Sequence, residues 1–264
     1  MDLPEAPAAE RLAAFLKAHA QVESVPAVLF ARGEDLYRSL QHAPPAIPDW
    51  GRFLVALGQL ASDADDLGVA STYFLRAVRE AELHTDYEAM ITAGYDQGVL
   101  FERRERAPQA RAAYRVAAVE GFRLAAVHAN TVRSAMALIR MHFAEYGSLD
   151  DLTRTLAKQA WLGWLHLRQA QPQSLDAALV GELERTFCAL LLPEDPAELA
   201  TCWRSWPPSR LRCGESIVAD DADWVALFTV AAEAAEHQLQ DEDPDPGGPY
   251  RLLAQAARRL VVGS

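Results

Sequence analysis

The sequence of 264 residues contains no apolar run near the roughly 20 residues needed to cross a bilayer. Its start, Met1-Asp2-Leu3-Pro4-Glu5, is acidic and lacks the basic and apolar regions of a signal peptide. Alternating apolar and polar runs, which are typical of strands, are nearly absent. We therefore expect a cytoplasmic, all-α protein that has no membrane partner.

Cysteine is also scarce. The chain has three cysteines, Cys188, Cys202 and Cys213, an odd number that does not indicate a disulfide framework. Their spacing matches no zinc motif, so reduced and buried thiols are expected. The seven histidines form no ligand set with other His, Cys or carboxylate residues at helical spacing. The sequence therefore predicts neither a metal nor a cofactor.

Motifs for catalysis are missing as well. The chain has no Gly-x-Ser-x-Gly elbow, no phosphate-binding glycine loop and no His-Glu-x-x-His. The segment 212–216 resembles a reactive loop most, since Arg212 would lower the pKa of the Cys213 thiol, but no base is placed beside it. We expect no enzyme, and an α-helical enzyme that uses Cys213 is the last alternative.

The net charge of −12 disfavours non-specific binding of nucleic acids. Residues 99–140 differ, because eight arginines there face three glutamates, a local excess of five positive charges. This stretch favours an acidic protein segment as partner. Lysine occurs only at Lys17 and Lys158, and this preference for arginine is typical of a GC-rich, bacterial genome.

The helical period dominates the chain. Helices are predicted over 8–20, 26–40 with an interruption at Gly33, 49–62, 66–83, 87–105, 107–122, 126–146 and 149–169. Thr85 to Glu88 has the spacing of a capping box, and Pro108 suits a first helical turn. Further helices are predicted over 174–192, 195–206, 221–240 and 250–262, with a loop at 209–217 and an acidic linker at 241–248. The short turns predict antiparallel neighbours.

A repeat with a period of forty residues runs through residues 57–117. The residues that carry it are Leu57, Gly58, Ala70, Phe74, Ala77, Gly98, Ala110, Tyr114 and Ala117. The pattern of Leu-Gly followed by Ala and an aromatic residue four positions later resembles tetratricopeptide (TPR) repeats, although their usual period is about 34 residues. The resemblance covers about 50–122, and the hairpin at 126–169 departs from its register.

The resemblance implies an all-α, TPR-like solenoid of antiparallel hairpins with about eleven or twelve helices. In such a solenoid the first helices line a concave groove for a peptide or helix. The groove positions are Arg52, Val55, Gln59, Ser62, Tyr95, Val99, Glu102 and Arg103. Chaperone-binding TPR proteins hold a C-terminal carboxylate with Lys and Asn on these faces, and those residues are not found here. A mixed groove suits an amphipathic helix better.

Three regions follow from these patterns: N-terminal helices at 1–48, the repeat region at 49–170 and a helical extension at 171–264 with a terminal capping helix. Trp203 and Trp206 suit either a buried helix face or an exposed recognition surface, whereas Trp161 and Trp164 favour the core. We expect an intracellular adaptor or regulator that binds a protein partner, acidic or amphipathic. The alternative is a sensor of the same architecture for a small molecule or signalling peptide.

Overall fold

A computed structural model describes residues 7–21, 25–41, 49–124, 127–170, 210–213 and 216–219. The helices are α1 (Ala8–Gln21), α2 (Pro26–Leu40), α3 (Trp50–Asp63), α4 (Leu67–His84), α5 (Tyr87–Arg103), α6 (Ala107–Arg115), α7 (Gly121–Arg123), α8 (Ala129–Tyr146) and α9 (Asp151–Ala170). A π-helical turn, Val116–Glu120, joins α6 to α7. The chain divides into two compact units, residues 1–120 and 121–264.

The predicted helical class is confirmed over the described residues up to 170. Each helix predicted between residues 8 and 169 is present, with its outer boundaries within three residues of those expected. The helix predicted over 107–122 is divided into α6, the π-helical turn and α7. None of the described helices is long and apolar enough to cross a membrane. The helices predicted after residue 170, the acidic linker and the Trp203/Trp206 segment lie outside the described residues.

One segment that was predicted as a loop is a β-hairpin. Strand β1 (Arg210–Cys213) pairs antiparallel with β2 (Ser216–Ala219), with Leu211 opposite Val218. The two strands are four residues each, which is too short for an alternating pattern to stand out against the helical period. The prediction of a loop is therefore wrong for residues 210–213 and 216–217.

Helix α2 also differs from its prediction, because it continues through Gly33 without a break. Gly33 is buried, and a Cβ atom there would lie 2.5 Å from Leu57 Cδ2 and 2.7 Å from Phe15 Cε2. The glycine therefore allows α2 to approach its neighbours and does not interrupt the helix.

In the first unit each helical pair packs on the next pair in an equivalent way. Helices α1, α3 and α5 lie side by side, α2 packs on α3, and α4 packs on α5. An aromatic contact joins α1 to α3, because the ring centroids of Phe15 and Phe53 are 5.1 Å apart. Phe53 also contacts Trp50 of its own helix, with ring centroids 5.3 Å apart. The N-terminal helices are thus built into the core of this unit.

The forty-residue repeat corresponds to a repeated packing contact. A Cβ atom on Gly58 would lie 2.5 Å from Phe74 Cε1, and one on Gly98 would lie 2.4 Å from Tyr114 Cδ1. Each glycine therefore leaves room for an aromatic ring from the next helix. The four alanines of the repeat are fully buried, and they are Ala70, Ala77, Ala110 and Ala117.

The turns that follow α3 and α5 also repeat. Asp65 and Glu105, forty residues apart, both adopt the left-handed conformation, with φ of 60° and 55°. The next amides, Asp66 N and Arg106 N, donate to Ala61 O and Phe101 O, both at 2.9 Å. The two repeats therefore share a backbone conformation at this turn as well as matching residue types.

The turn between α4 and α5 corrects the predicted capping box. Thr85 ends α4 in the left-handed conformation, and Asp86 is the N-cap of α5. The Asp86 carboxylate accepts a hydrogen bond from Ala89 N at 3.2 Å. Asp86 therefore satisfies a free amide of the first turn, which is the role that Thr85 was expected to have.

Gln97 breaks the chemical match between the two repeats. It is a polar residue at the position that the apolar Leu57 has forty residues earlier. It is 5% exposed, and its side-chain nitrogen has no hydrogen-bond partner among the described residues. A buried amide without a partner costs about 1–3 kcal/mol. We expect Gln97→Leu to raise the free energy of unfolding by about 1 kcal/mol, measured by urea denaturation followed by circular dichroism.

The matched control is Gln59→Leu, because the Gln59 amide does have a partner, Asp96, at 2.7 Å. We expect no gain there. An equal gain at both positions would show that added apolar surface, and not the unsatisfied amide of Gln97, determines the effect.

The second unit contains the α8–α9 pair. Gly121 contacts Thr131 so closely that a Cβ atom there would lie 2.1 Å from Thr131 Oγ1. Trp161 and Trp164 are 5% and 1% exposed, which confirms the predicted core position. Gly147 ends α8 with φ of 67°, and Asp150 Oδ1 accepts from Thr153 N at 2.8 Å at the start of α9.

Candidate functional site

Helices α3 and α5 carry the predicted groove residues, and the two helices approach closely near their N-terminal ends. Gly51 permits this, because a Cβ atom there would lie 2.9 Å from Ala89 Cβ. Arg52 forms an ion pair with Glu88, and its Nη1 lies 3.3 Å from Asp49 Oδ1. The hydrogen bond to Glu88 raises the pKa of Arg52, against the effect of burial. Arg52 therefore joins α3 to α5.

A second contact joins these helices about two turns further along, where Gln59 Nε2 donates to Asp96 Oδ2 at 2.7 Å. The residues in this contact are 37 positions apart, and those in the Arg52–Glu88 contact are 36 apart. The nearly constant separation means that α3 and α5 run parallel. Since the repeat is forty residues, α5 is displaced along α3 by about one helical turn, or ~5 Å.

Three of the predicted groove residues belong to the packing. Val55 is only 6% exposed, so its side chain belongs to the buried face of α3. Tyr95 is half-buried, with its ring centroid 6.1 Å from that of Tyr114. Glu102 accepts a hydrogen bond from the Tyr114 hydroxyl at 2.6 Å. Tyr95 and Glu102 thus hold α6 against α5.

A cavity of about 160 Å³ opens between the C-terminal halves of α3 and α5. Phe74 and Leu100, each 1% exposed, form its base. The complete lining is Gln59, Ser62, Asp63, Phe74, Asp96, Val99, Leu100 and Arg103. The cavity therefore combines residues that the groove prediction included with two carboxylates, Asp63 and Asp96, that it missed.

Opposite charges flank this cavity. Asp63 ends α3, Arg103 ends α5, and both are exposed. Within the described ranges neither side chain has a hydrogen-bond or ion-pair partner. On α1, burial lowers the pKa of His19, while the charge of Asp63 acts in the opposite direction. Burial therefore disfavours the charged form of His19.

A second cavity, of about 270 Å³, lies at the N-terminal ends of α3 and α5. It is lined by Asp49, Trp50, Gly51, Arg52, Glu80, Ala81, His84 and Asp86. Three carboxylates there face one guanidinium, and His84 Nε2 lies 3.7 Å from Glu80 Oε2. Carboxylates thus outnumber cations in this cavity too.

The arginine-rich stretch 99–140 crosses the division between the two units. Arg111, Arg123, Arg133 and Arg140 each have an interaction partner. Those four guanidinium groups are therefore already engaged in contacts within the chain. Arg103 differs from them, because it lines the cavity between α3 and α5.

The described part of the chain holds no group of three or more His, Cys, Asp or Glu residues that could bind a metal ion. Cys213 lies in β1, where it pairs with Ser216 of β2. Comparison with protein-family models and with curated protein sequences gave no match.

Proposed function

We propose that this chain is a non-catalytic adaptor or regulator, built as a TPR-like stack of helical hairpins. It binds a peptide or helical segment of a protein partner along α3 and α5. The observation that carries the proposal is the open cavity between these parallel helices, whose base is apolar and whose sides are charged. Such a lining suits the apolar and polar faces of an amphipathic segment.

The repeated packing supports the architecture. The contacts of Gly58 with Phe74 and of Gly98 with Tyr114 recur at the same register in successive hairpins. A stack of this kind places its first helices in one row, and α1, α3 and α5 do lie side by side.

A small-molecule sensor has less support. The two cavities along α3 and α5 measure about 160 and 270 Å³. Sites for small molecules are typically about 300–1,000 Å³ and enclose most of the ligand. A cavity of the size observed here accommodates one side chain of a longer segment.

The proposal is tested by selecting a random phage-displayed peptide library on the immobilised full chain. The enriched peptides are then synthesised, and their dissociation constants are measured. Ser62→Trp fills the cavity from α3, so we expect it to weaken binding by about tenfold or more, the equivalent of about 1.4 kcal/mol. Ser62 is half-buried in the last turn of α3, where a larger side chain can extend into the cavity.

Thr72→Trp is the matched control, because Thr72 is exposed on α4 and lines neither cavity. It should leave the dissociation constant unchanged. Peptides that bind both variants as tightly as the unmodified chain would place the binding surface elsewhere. A library without enriched peptides would contradict the proposed function.

A further inference from the structure

Asp63 occupies a position where a negative charge is unfavourable. It is the last residue of α3, and no basic residue is present in the last turn of that helix. The helix dipole places partial negative charge at this end, so a carboxylate there is destabilising unless a cation is nearby. Among the residues that the structure describes, no side chain forms an ion pair with Asp63. The Asp63 carboxylate is therefore available to pair with a cation of a bound segment.

The shape of the cavity indicates what kind of cation fits. Its base, Phe74 and Leu100, is apolar, and the half-buried Val99 lies beside them. A long aliphatic side chain with a charged end covers such a surface with its methylene groups and keeps its charge at the edge. The volume of the cavity also suits a single side chain. Its 160 Å³ is similar to the about 150 Å³ of a cavity that accepts benzene. One lysine or arginine side chain therefore matches the space.

Negative charge also predominates in the second cavity, at the other end of α3 and α5. In the cavity at the N-terminal ends, Asp49, Glu80 and Asp86 outnumber Arg52. A surface with excess carboxylates attracts basic segments and repels acidic ones, which affects both the association rate and the choice of partner. The field along these helices thus favours the same class of partner as Asp63 does.

We propose that the segment bound between α3 and α5 is basic, and that one of its lysine or arginine side chains lies in the cavity with its charge on Asp63. This inference rests on the proposed function. It reverses the acidic partner expected from the arginine-rich stretch 99–140. Arg103, on the opposite side of the cavity, disfavours a second cation there.

The selected peptides test this inference through two charge reversals with opposite expected effects. Asp63→Lys should weaken binding by about tenfold at low salt, because an exposed ion pair is lost and a repulsive pair replaces it. Arg103→Glu should strengthen binding about threefold, because it adds a carboxylate beside the same cation. Both effects should decrease in high salt, which screens exposed charges.

Glu82→Lys and Arg79→Glu are the controls, since both residues are exposed on α4 and line neither cavity. They change the net charge equally, so they isolate the local effect, and we expect changes below about twofold from long-range fields alone. Enriched peptides should also contain lysine or arginine, and replacing that residue by norleucine should remove the effect of Asp63→Lys.

Results that differ from these expectations separate the inference of a basic segment from the proposed function. Peptides that are blocked by Ser62→Trp but lack basic residues, or that bind Arg103→Glu more weakly, would refute the basic segment and leave the groove in place. Peptides that are insensitive to Ser62→Trp, or a selection without enriched peptides, would refute the proposed function itself.

Discussion

Alanine in place of Gly98 is expected to lower the free energy of unfolding by about 2 kcal/mol, and alanine in place of Gly58 by a similar amount. In both cases the new methyl group would overlap an aromatic ring, at 2.4 Å from Tyr114 Cδ1 or 2.5 Å from Phe74 Cε1. Glycine to alanine inside a helix ordinarily stabilises by about 1 kcal/mol. The sign is reversed here because the ring and the methyl group compete for one space.

Gly68→Ala supplies the control. Gly68 is exposed at the start of α4, and the nearest atom to a Cβ there is Asp66 Oδ1 at 3.6 Å. This variant should gain up to about 1 kcal/mol, as helix propensity alone predicts. The three variants would be compared by urea denaturation followed by circular dichroism.

A double-mutant cycle locates the cause. Phe74→Ala alone should cost about 3–5 kcal/mol, because it leaves a cavity in the core. In Gly58→Ala/Phe74→Ala the methyl group occupies part of that cavity, so the combined cost should be smaller than the sum of the single costs by about 1 kcal/mol or more. Additive costs would show that Gly58 does not accommodate the ring.

Helix positions were predictable because they depend on local chemistry. The apolar period and residues such as Pro108 and Gly147 determine where each helix begins and ends, and these features can be read along the chain. The contact between Gly98 and Tyr114 could also be predicted, because a repeat shows the same pair twice. The strand pair at 210–213 and 216–219 was missed, since a strand of four residues carries little periodic signal.

Glycines show where local reading fails. Gly33 was expected to interrupt α2, whereas Gly58 was identified as part of the repeat. Both permit close contact, but only Gly58 belongs to the repeat. The neighbours of Gly33, Phe15 and Leu57, come from other helices, so its role depends on tertiary structure that the local sequence does not encode.

The candidate site was only partly predictable for a related reason. Equivalent positions of the repeat are forty residues apart, but the residues that meet across α3 and α5 are 36 or 37 apart. The register therefore does not give the pairs of residues that meet across the two helices. It identified Gln59 and missed its partner, Asp96. The repeat also gives no measure of burial, so it did not indicate that Val55 is buried.

Phe53→Ala is expected to cost about 4 kcal/mol, since a buried phenylalanine is lost and its space is not refilled. Phe53 is fully buried between Phe15 of α1 and Trp50 of its own helix. The cost is a large part of the 5–15 kcal/mol typical of a folded domain, so the urea midpoint should fall markedly. Leu75→Ala, at a side chain 56% exposed on α4, should change stability by less than about 0.5 kcal/mol.

Phe53→Ala, combined with a substitution in α1, also tests whether α1 packs on α3. Phe15→Ala removes the other ring of the 5.1 Å edge-on pair, and such pairs contribute about 0.5–1.5 kcal/mol beyond their buried area. The Phe15→Ala/Phe53→Ala double variant should therefore cost less than the sum of the single variants by about that amount. Additive costs would mean that α1 does not pack on α3. A measured coupling would instead make α1 a structural neighbour of the α3–α5 face, with His19 held beside Asp63 at the cavity where we propose that a basic side chain binds.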